Sequence, residues 1–371
     1  MASLGGPLAL GAIYAPSAGN MRSAGLLLVL GALLYACPLV VWLRYSEEIA
    51  SAGGLAAFVE AAAGRRVALV QAAVWSISYF LYLPYTVTDI VYEQLVDVFP
   101  GIEPYRWLLE VTIPFGIVGL VLLGTVPALR VLLVSAAVQL AVLLAFGFVL
   151  LAHVGAPGSS FTHGPGTRGL VHGSAAIGLL FLCGSLPIFL GGEARGGART
   201  IRISLVGAGA VTAAYLLFAL FPLAAVDPAL RSTDFTGLDV AQHYAGRGFA
   251  VVVGLGAIVS VAGVIVAEYI ALSRLLYSVT GVPVRRLLQW IAVPFIAIDA
   301  LSLLNPDAFD DDVLRPSLIA LFLSQLFVFG FYPRYRRARG RLTAFDVGIA
   351  AVAFALMAWG LWRAVSGPVA T

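Results

Sequence analysis

The chain has 371 residues, of which 61% are hydrophobic and 11% are charged, and its formal net charge is +3. Soluble domains carry about 25% charged residues, so this composition excludes an ordinary soluble domain and indicates a polytopic membrane protein. The two cysteines, Cys37 and Cys183, both lie inside apolar runs, and no disulfide framework is predicted.

Apolar runs of the length that crosses a bilayer recur along the whole chain. Because one span needs roughly 20 residues, they predict an all-α integral membrane protein with about 11 transmembrane helices. The predicted spans are 2–20, 23–43, 67–92, 105–124, 130–153, 172–192, 203–226, 248–272, 286–304, 314–332 and 344–364.

Basic and acidic residues alternate between successive connections. Positive connections stay in the cytoplasm, so the N-terminus is predicted inside and, after eleven spans, the C-terminus outside the cytoplasmic membrane. We call the two sides of the bundle the Arg-rich end and the acid-rich end. The first carries Arg65, Arg66, Arg195, Arg199, Arg202, Arg285, Arg286, Arg334, Arg336, Arg337, Arg339 and Arg341. The second carries Asp89, Glu93, Asp97, Glu103, Asp227, Asp234, Asp239, Asp307, Asp310, Asp311 and Asp312.

The first and sixth predicted spans are both interrupted. Only ten residues, about 15 Å of helix, precede the breaker-rich segment 11–19 (GAIYAPSAG), so the first break falls near mid-membrane. The sixth span breaks at 183–187 (CGSLP). Interruptions in corresponding positions of two halves indicate an inverted repeat with a binding site between them. The alternative is that both are kinks, since Gly and Pro are common in membrane helices.

The spacing of the two breaks predicts one membrane domain, residues 1–371, built from two repeats. The first five-span repeat is 1–154, the second is 170–335, and 343–371 adds a C-terminal span. Between spans two and three, the stretch 46–66 is too polar to cross and predicts an amphipathic helix along the cytoplasmic surface.

Three stretches carry recognisable motifs in a fixed order. Residues 39–66 contain Glu47-Glu48, Gly53-Gly54, Phe58 and Gly64-Arg65-Arg66; residues 193–201 read EARGGARTI; residues 273–278 read SRLLYS. This ordered set, which covers nearly the whole chain, resembles the amino acid–polyamine–organocation (APC) superfamily of permeases.

The resemblance implies a five-plus-five inverted-repeat (LeuT-type) transporter fold with discontinuous spans one and six, and transport by alternating access. It implies an amino acid or a related small amine as substrate, held at the two breaks. Opposed half-helix ends there offer partial charges of both signs. The implied substrate-binding residues are Gly11, Ala12 and Ile13 in span one and Phe181, Cys183, Gly184 and Ser185 in span six.

The breaks also depart from the family pattern. Ala12 stands where the family has a second Gly, which tightens the approach of a carboxylate. The span-six break keeps Phe181 and Gly184 but lacks the second aromatic residue and the nearby Glu. A standard α-amino acid is therefore less firmly implied than the transporter itself.

Coupling residues are sought among polar groups inside the apolar runs. Gln139 stands where some proton-coupled family members have Lys, so that positive charge is not available here. Ser260 is a candidate for the span-eight hydroxyl that sodium-coupled relatives use. Glu268 and Asp299 are candidates for H⁺ or ion coupling, because burying an acid in a membrane is costly. Arg274 is a possible partner for Glu268.

Other polar groups give weaker indications. Asp89, Glu93 and Asp97 follow an i, i+4, i+8 spacing, which predicts a solvated stripe or a vestibule that attracts cations. The histidines match no zinc pattern, and neither a nucleophile elbow nor a paired-cysteine site is present. We therefore predict no metal site, cofactor, nucleic-acid partner or enzyme activity.

The sequence thus predicts a secondary active transporter that moves an amino acid or related small amine across the cytoplasmic membrane, by ion coupling or exchange. Its predicted partners are that small-molecule substrate, the lipid bilayer and a coupling H⁺ or Na⁺. One alternative is an inverted-repeat transporter for a different small solute. The other is a non-transporting scaffold or sensor on a degenerate transporter fold.

Overall fold

The computed structural model describes residues 21–232 and 236–367, and every regular element within these ranges is a helix. Eight helices there are long and apolar enough to cross a membrane, which confirms an all-α membrane protein. They are span two (Met21–Tyr45), three (Arg65–Val98), four (Pro100–Leu122), five (Thr125–Val154), seven (Gly197–Ala225), eight (Thr236–Thr280), ten (Asp312–Ala338) and eleven (Ala344–Ser366).

Spans six and nine are not among these eight, because span six is interrupted and span nine contains three charged residues. Span six is divided into the α-helix Gly166–Leu180, a 3-10 helix Phe181–Ser185 and a short α-helix Leu186–Phe189. Span nine (Val284–Leu301) is a continuous helix of 18 residues. It is less apolar than the other spans because it includes Arg285, Arg286 and Asp299.

The helix of span eight is longer than its predicted bounds of 248–272. It runs from Thr236 to Thr280 but is bent at Gly246, whose φ of 80° lies in the left-handed region that favours glycine. Residues before Gly246 therefore form a separate short helix at the acid-rich end.

Span three also departs from a regular α-helix near the acid-rich end. Residues Asp89–Gln94 form a π-helical turn, in which Gln94 donates to Asp89 at 2.6 Å. This turn changes the register, so Asp89, Glu93 and Asp97 do not keep the spacing of one α-helical face.

The helix predicted along the cytoplasmic surface is Gly54–Ala63, and it is more deeply packed than a surface helix. Leu55, Phe58 and Val59 are buried, and the Phe58 ring stacks on Tyr45 with centroids 4.7 Å apart. The helix therefore packs against spans three and ten at the Arg-rich end of the bundle.

The outer surface of the bundle carries large apolar side chains that the protein does not cover. Trp107, Phe115, Trp290 and Val293 are each more than half exposed. Exposed apolar surface of this extent suits contact with lipid rather than water. The chain is thus a multi-pass membrane protein.

Candidate functional site

The interruption predicted in span six is present, and its sequence explains it. Pro187 has no backbone N–H to continue the preceding helix, and it occupies the first turn of the short helix Leu186–Phe189. Residues Phe181–Ser185 adopt 3-10 geometry instead. Backbone that leaves α-helical geometry inside a membrane is tolerated where it is buried in protein or lines a cavity.

A cavity of about 170 Å³ lies beside this interruption. It is enclosed by spans three, six, eight and ten, and most of its lining is apolar. Polar groups come from span three and span ten, together with one acid from span eight. The lining residues are Ser78, Tyr79, Tyr82, Leu179, Leu180, Leu182, Glu268, Ser317, Leu318, Leu321 and Phe322.

Glu268 is the one acidic residue in the described lining of this cavity. The residue is 7% exposed, and its Oε2 atom has no hydrogen-bond partner in the part of the chain that the structure describes. A buried carboxylate without a compensating partner is costly, so this group is suited to bind a proton or a cation.

Arg274 does not pair with Glu268, contrary to the sequence-based expectation, because Glu193 binds it instead. Its Nε and Nη2 atoms donate to the two carboxylate oxygens of Glu193 at 2.6 and 3.2 Å. A further bond from Nη2 reaches the Thr125 hydroxyl. The Arg274 side chain is almost fully buried, so this cluster joins the ends of spans six and eight to the start of span five.

The second half of span six is also in tight contact with the loop that precedes helix Gly54–Ala63 at the Arg-rich end. Gly54 has a φ of +55°, and a Cβ atom there would collide with the Phe189 ring. A Cβ on Gly191 would lie 2.5 Å from the backbone nitrogen of Ser51. The loop before helix Gly54–Ala63 and the end of span six therefore approach each other so closely that only glycine fits at either position.

The predicted substrate-binding residues of span six lie at the break. The Phe181 ring stacks on Tyr35 with centroids 5.1 Å apart, and a Cβ on Gly184 would sit 3.5 Å from the Tyr35 hydroxyl. Ser185 is buried, and Cys183 contributes backbone to the 3-10 turn. The cavity described above is lined instead by their neighbours Leu179, Leu180 and Leu182. Gly11, Ala12 and Ile13 lie outside the described residues.

Ser260 belongs to a polar chain between spans five and eight. It is fully buried, and its hydroxyl donates to Gln139 Oε1 at 2.9 Å. The Gln139 amide donates to Ser135 at 2.8 Å, and Ser135 donates back to the Val259 carbonyl at 3.1 Å. The coupling candidate Ser260 is therefore in direct contact with Gln139, which stands where some proton-coupled APC permeases have Lys.

Asp299 lies in a second polar cluster, between spans three, four and nine. The neighbouring acid is Glu110, which sequence reasoning did not single out, although an acid inside an apolar run was the signal that found Glu268 and Asp299. Thr88 and Ser302 donate to Glu110 Oε1 at 2.7 and 2.5 Å. Neither Asp299 oxygen accepts a hydrogen bond from any described hydroxyl, amide or guanidinium group.

Comparison with known proteins reveals similarity of structure without similarity of sequence. No protein-family model and no curated protein sequence matches the chain. Among solved structures, MhsT in complex with L-phenylalanine matches with a TM-score of 0.65 and 13% identity, over 98% of this chain and 96% of that one. A variant of the manganese transporter from Eremococcus coleocola matches with the same TM-score and identity, over 98% of this chain and 86% of that one.

The same manganese transporter in complex with an aromatic bis-isothiourea substituted compound matches with a TM-score of 0.62. At 13% identity these likenesses show the fold alone, and they show it over nearly the whole chain. The predicted fold class is confirmed: the protein has the LeuT-type fold of these transporters, with a discontinuous span six.

Proposed function

We propose that the protein is a secondary active transporter that moves a small amine-bearing solute, an amino acid or a related amine, by alternating access. The observation that carries the proposal is the position of Glu268, an acid without a partner on its Oε2 atom, in a cavity beside the break of span six. The fold supports a transporter, and the acid supports a cationic group on the solute.

The size and lining of the cavity suit a small organic cation. An engineered cavity of about 150 Å³ binds benzene, so the volume of about 170 Å³ observed here accommodates a solute of similar size. The leucines of span six and Phe322 offer an apolar surface, and Ser78 and Ser317 add polar atoms to the lining. A primary amine with a short apolar body satisfies both parts of the lining.

A single carboxyl group suggests how the solute is exchanged for a proton. When the cavity holds the cationic solute, the Glu268 carboxylate balances its charge. When the solute leaves, protonation neutralises the carboxyl and removes the cost of an uncompensated buried charge. Because proton and amine compete for one group, each occupies the site in turn, which favours exchange of the solute against H⁺.

The distribution of charge supports an orientation in the cytoplasmic membrane. The Arg-rich end faces the cytoplasm under the positive-inside rule, and the N-terminus lies on the same side. The Glu193–Arg274 cluster then closes the cytoplasmic side of the bundle, and solute reaches the cavity from the acid-rich end.

The test is uptake by proteoliposomes that contain the purified protein. A panel of radiolabelled amines, amino acids and Mn²⁺ is offered with a pH gradient, a sodium gradient or neither. We expect uptake of at least one amine and dependence on the pH gradient. Glu268→Gln should lower this uptake more than tenfold, because one unbalanced charge in the membrane costs more than about 1.4 kcal/mol.

Glu60→Gln is the matched control, since Glu60 is exposed on the helix Gly54–Ala63 and does not line this cavity. It should transport at the wild-type rate. Uptake of Mn²⁺ but of no amine would favour the alternative of a different solute. Absence of flux across the whole panel, together with no thermal shift by any solute, would support the scaffold or sensor.

A further inference from the structure

Glu110 and Asp299, which we call the acid pair, lie between spans three, four and nine. They are more completely buried than Glu268 in the cavity described above. Glu110 and Asp299 are 0% and 1% exposed, and Ser302, three residues after Asp299, donates to Glu110 Oε1, so the two acids share one buried space. Two carboxylates at such short range in an apolar surrounding repel each other strongly, so the pair is stable with one proton between them.

The hydrogen bonds around the pair indicate which acid carries the proton. Two hydroxyl groups, from Thr88 and Ser302, donate to the same atom, Glu110 Oε1. Donors of this kind favour the ionised form of the carboxyl that accepts them. Glu110 Oε2 has no donor among the described residues, and Asp299 is beside it with both oxygens unpartnered. A protonated Asp299 that donates to Glu110 Oε2 satisfies these atoms together.

The arrangement suits a proton better than a metal ion. The two hydroxyls converge on one carboxylate oxygen, whereas Na⁺ would require several oxygens arranged around a common centre. Within the described ranges, no group of three His, Cys, Asp or Glu side chains is placed to hold a metal ion.

A shallow cavity of about 80 Å³ lies at the acid-rich end, next to Thr88. Thr88, which donates to Glu110, also lines this cavity, so one side chain contacts both the cavity and the pair. Several acids in the lining attract protons and cations from solution. The cavity is lined by Tyr85, Thr88, Asp89, Tyr92, Glu93, Pro306, Asp307 and Phe309.

Arg106 of span four and Arg247 of span eight lie near the acid-rich end. Arg106 lies 5.0 Å above the Tyr92 ring and 3.6 Å from Glu103, and the described residues show no ion pair from it to either acid. Arg247 of span eight donates to the Val98 carbonyl. Tyr92 of span three lies under the Arg106 guanidinium, and a phenol, whose ordinary pKa is about 10, adds no charge there at neutral pH.

From this geometry we propose that Glu110 and Asp299 form a second proton-binding site, distinct from Glu268, with the proton carried by Asp299 and supplied from the acid-rich end. The existence of this site is independent of the proposed function. Its role in coupling rests on that function, since a proton held there contributes to transport only if the protein transports.

Infrared difference spectroscopy of the purified protein in lipid tests the site without any solute. In a Glu268→Gln background, which removes the acid of the cavity, we expect a band from a protonated carboxylic acid at neutral pH. The band should shift in D₂O and disappear on Asp299→Asn. Glu60→Gln in the same background should leave it unchanged.

Isotope labelling provides a second readout that requires no substitution at the pair. Aspartate labelled with ¹³C at its side-chain carboxyl should shift the band of the Glu268→Gln protein, whereas labelled glutamate should not. Persistence of the band after Asp299→Asn, or a shift with labelled glutamate alone, would overturn the assignment to Asp299. Loss of the band on adding Na⁺ at constant pH would show a cation site instead.

Transport separates this proposal from the function on which its coupling role rests. In an actively transporting protein, Asp299→Asn should reduce the stimulation of amine uptake by a pH gradient at least fivefold while retaining exchange of labelled for unlabelled amine. Unchanged stimulation would overturn the coupling role. If no solute is transported, the proposed function fails, but the infrared result still decides whether the proton site exists.

Discussion

At the scale of single residues, two glycines that contact the region of the span-six break differ in the room they leave for a side chain. Gly54 has no room for a side chain because the Phe189 ring occupies the position of its Cβ, and its backbone is left-handed. Gly184 is different, because a Cβ there would make an ordinary contact with the Tyr35 hydroxyl. The two positions therefore have different tolerances for substitution.

Gly54→Ala should destabilise the protein by roughly 2–4 kcal/mol, because the overpacking cost adds to the strain of a left-handed backbone. Thermal unfolding in detergent measures the effect. Gly197→Ala is the matched control, since Gly197 has a φ of +50° but no atom within 4 Å of its Cβ position. An equal loss in both variants would show that the Phe189 contact contributes nothing.

Gly184→Ala should retain most of the uptake, whereas Gly184→Leu should lower it more than tenfold and still insert into the membrane. A methyl group fits against Tyr35, but a leucine side chain must displace the Tyr35 ring and the stacked Phe181. Uptake assays with matched amounts of inserted protein check this. Wild-type uptake by the leucine variant would show that the break is only a kink.

At the scale of elements, the motifs that resemble those of APC permeases meet at the Arg-rich end. Glu193 and Arg274, which are 81 residues apart, form the ion pair that joins spans six and eight. Glu47 lies 3.8 Å from Arg202, next to the second motif. These contacts give each motif a structural role in closing this end of the bundle.

Glu193→Gln should destabilise this closed end by about 1–2 kcal/mol. Removal of the carboxylate leaves the buried Arg274 uncompensated, but Glu193 is partly exposed and solvent reduces the cost. A double-mutant cycle of Glu193→Gln with Arg274→Gln, read by thermal unfolding, measures the coupling. Strictly additive losses would mean that the pair contributes no interaction energy.

At the scale of the whole molecule, span eleven and the connection before it are joined to the bundle by two polar clusters. Asp346 is fully buried, accepts from Tyr332 at 2.7 Å and pairs with Arg44 at 2.9 Å. Glu48 pairs with Arg339, and its other oxygen lies 3.1 Å from Arg341. The C-terminal span is therefore an integral part of the bundle.

Stability at acidic pH tests the second of these clusters. The hydrogen bond from Arg339 holds the pKa of the Glu48 carboxyl below its usual value. A lowered pKa in the folded state adds stability above the unfolded pKa of about 4.3, and this stability is lost as the pH falls through the folded value. Unfolding midpoints measured from neutral to strongly acidic pH should show this loss.

The expected contribution of Glu48 is less than about 1 kcal/mol, as for other exposed ion pairs. Glu48→Gln should lower stability at neutral pH and reduce the dependence on pH, whereas Glu60→Gln should leave both unchanged. A pH dependence that is the same in the wild type and in Glu48→Gln would contradict this role for the carboxyl.

Sequence patterns predicted the membrane class, most span positions and the break of span six, because these depend on local composition. They did not predict the partner of Arg274, because Glu193 meets it through the packing of distant helices. They also missed Glu110, although an acid inside an apolar run is a local signal; its proximity to Asp299 depends on the fold, which brings span four beside span nine. The sequence does not predict the bend at Gly246, because glycine is frequent throughout these apolar helices.

The close approach at Gly54 and Gly191 has a mechanical consequence. The backbone of Gly191 lies directly against that of Ser51, and the Phe189 ring lies directly against Gly54, so the loop at Ser51 and the end of span six are expected to move as one body. Helix Gly54–Ala63, directly joined to that loop, then acts as a lever at the Arg-rich end. If the protein transports as proposed, a molecule that immobilised this helix would stop transport without entering the cavity and would act as a non-competitive inhibitor.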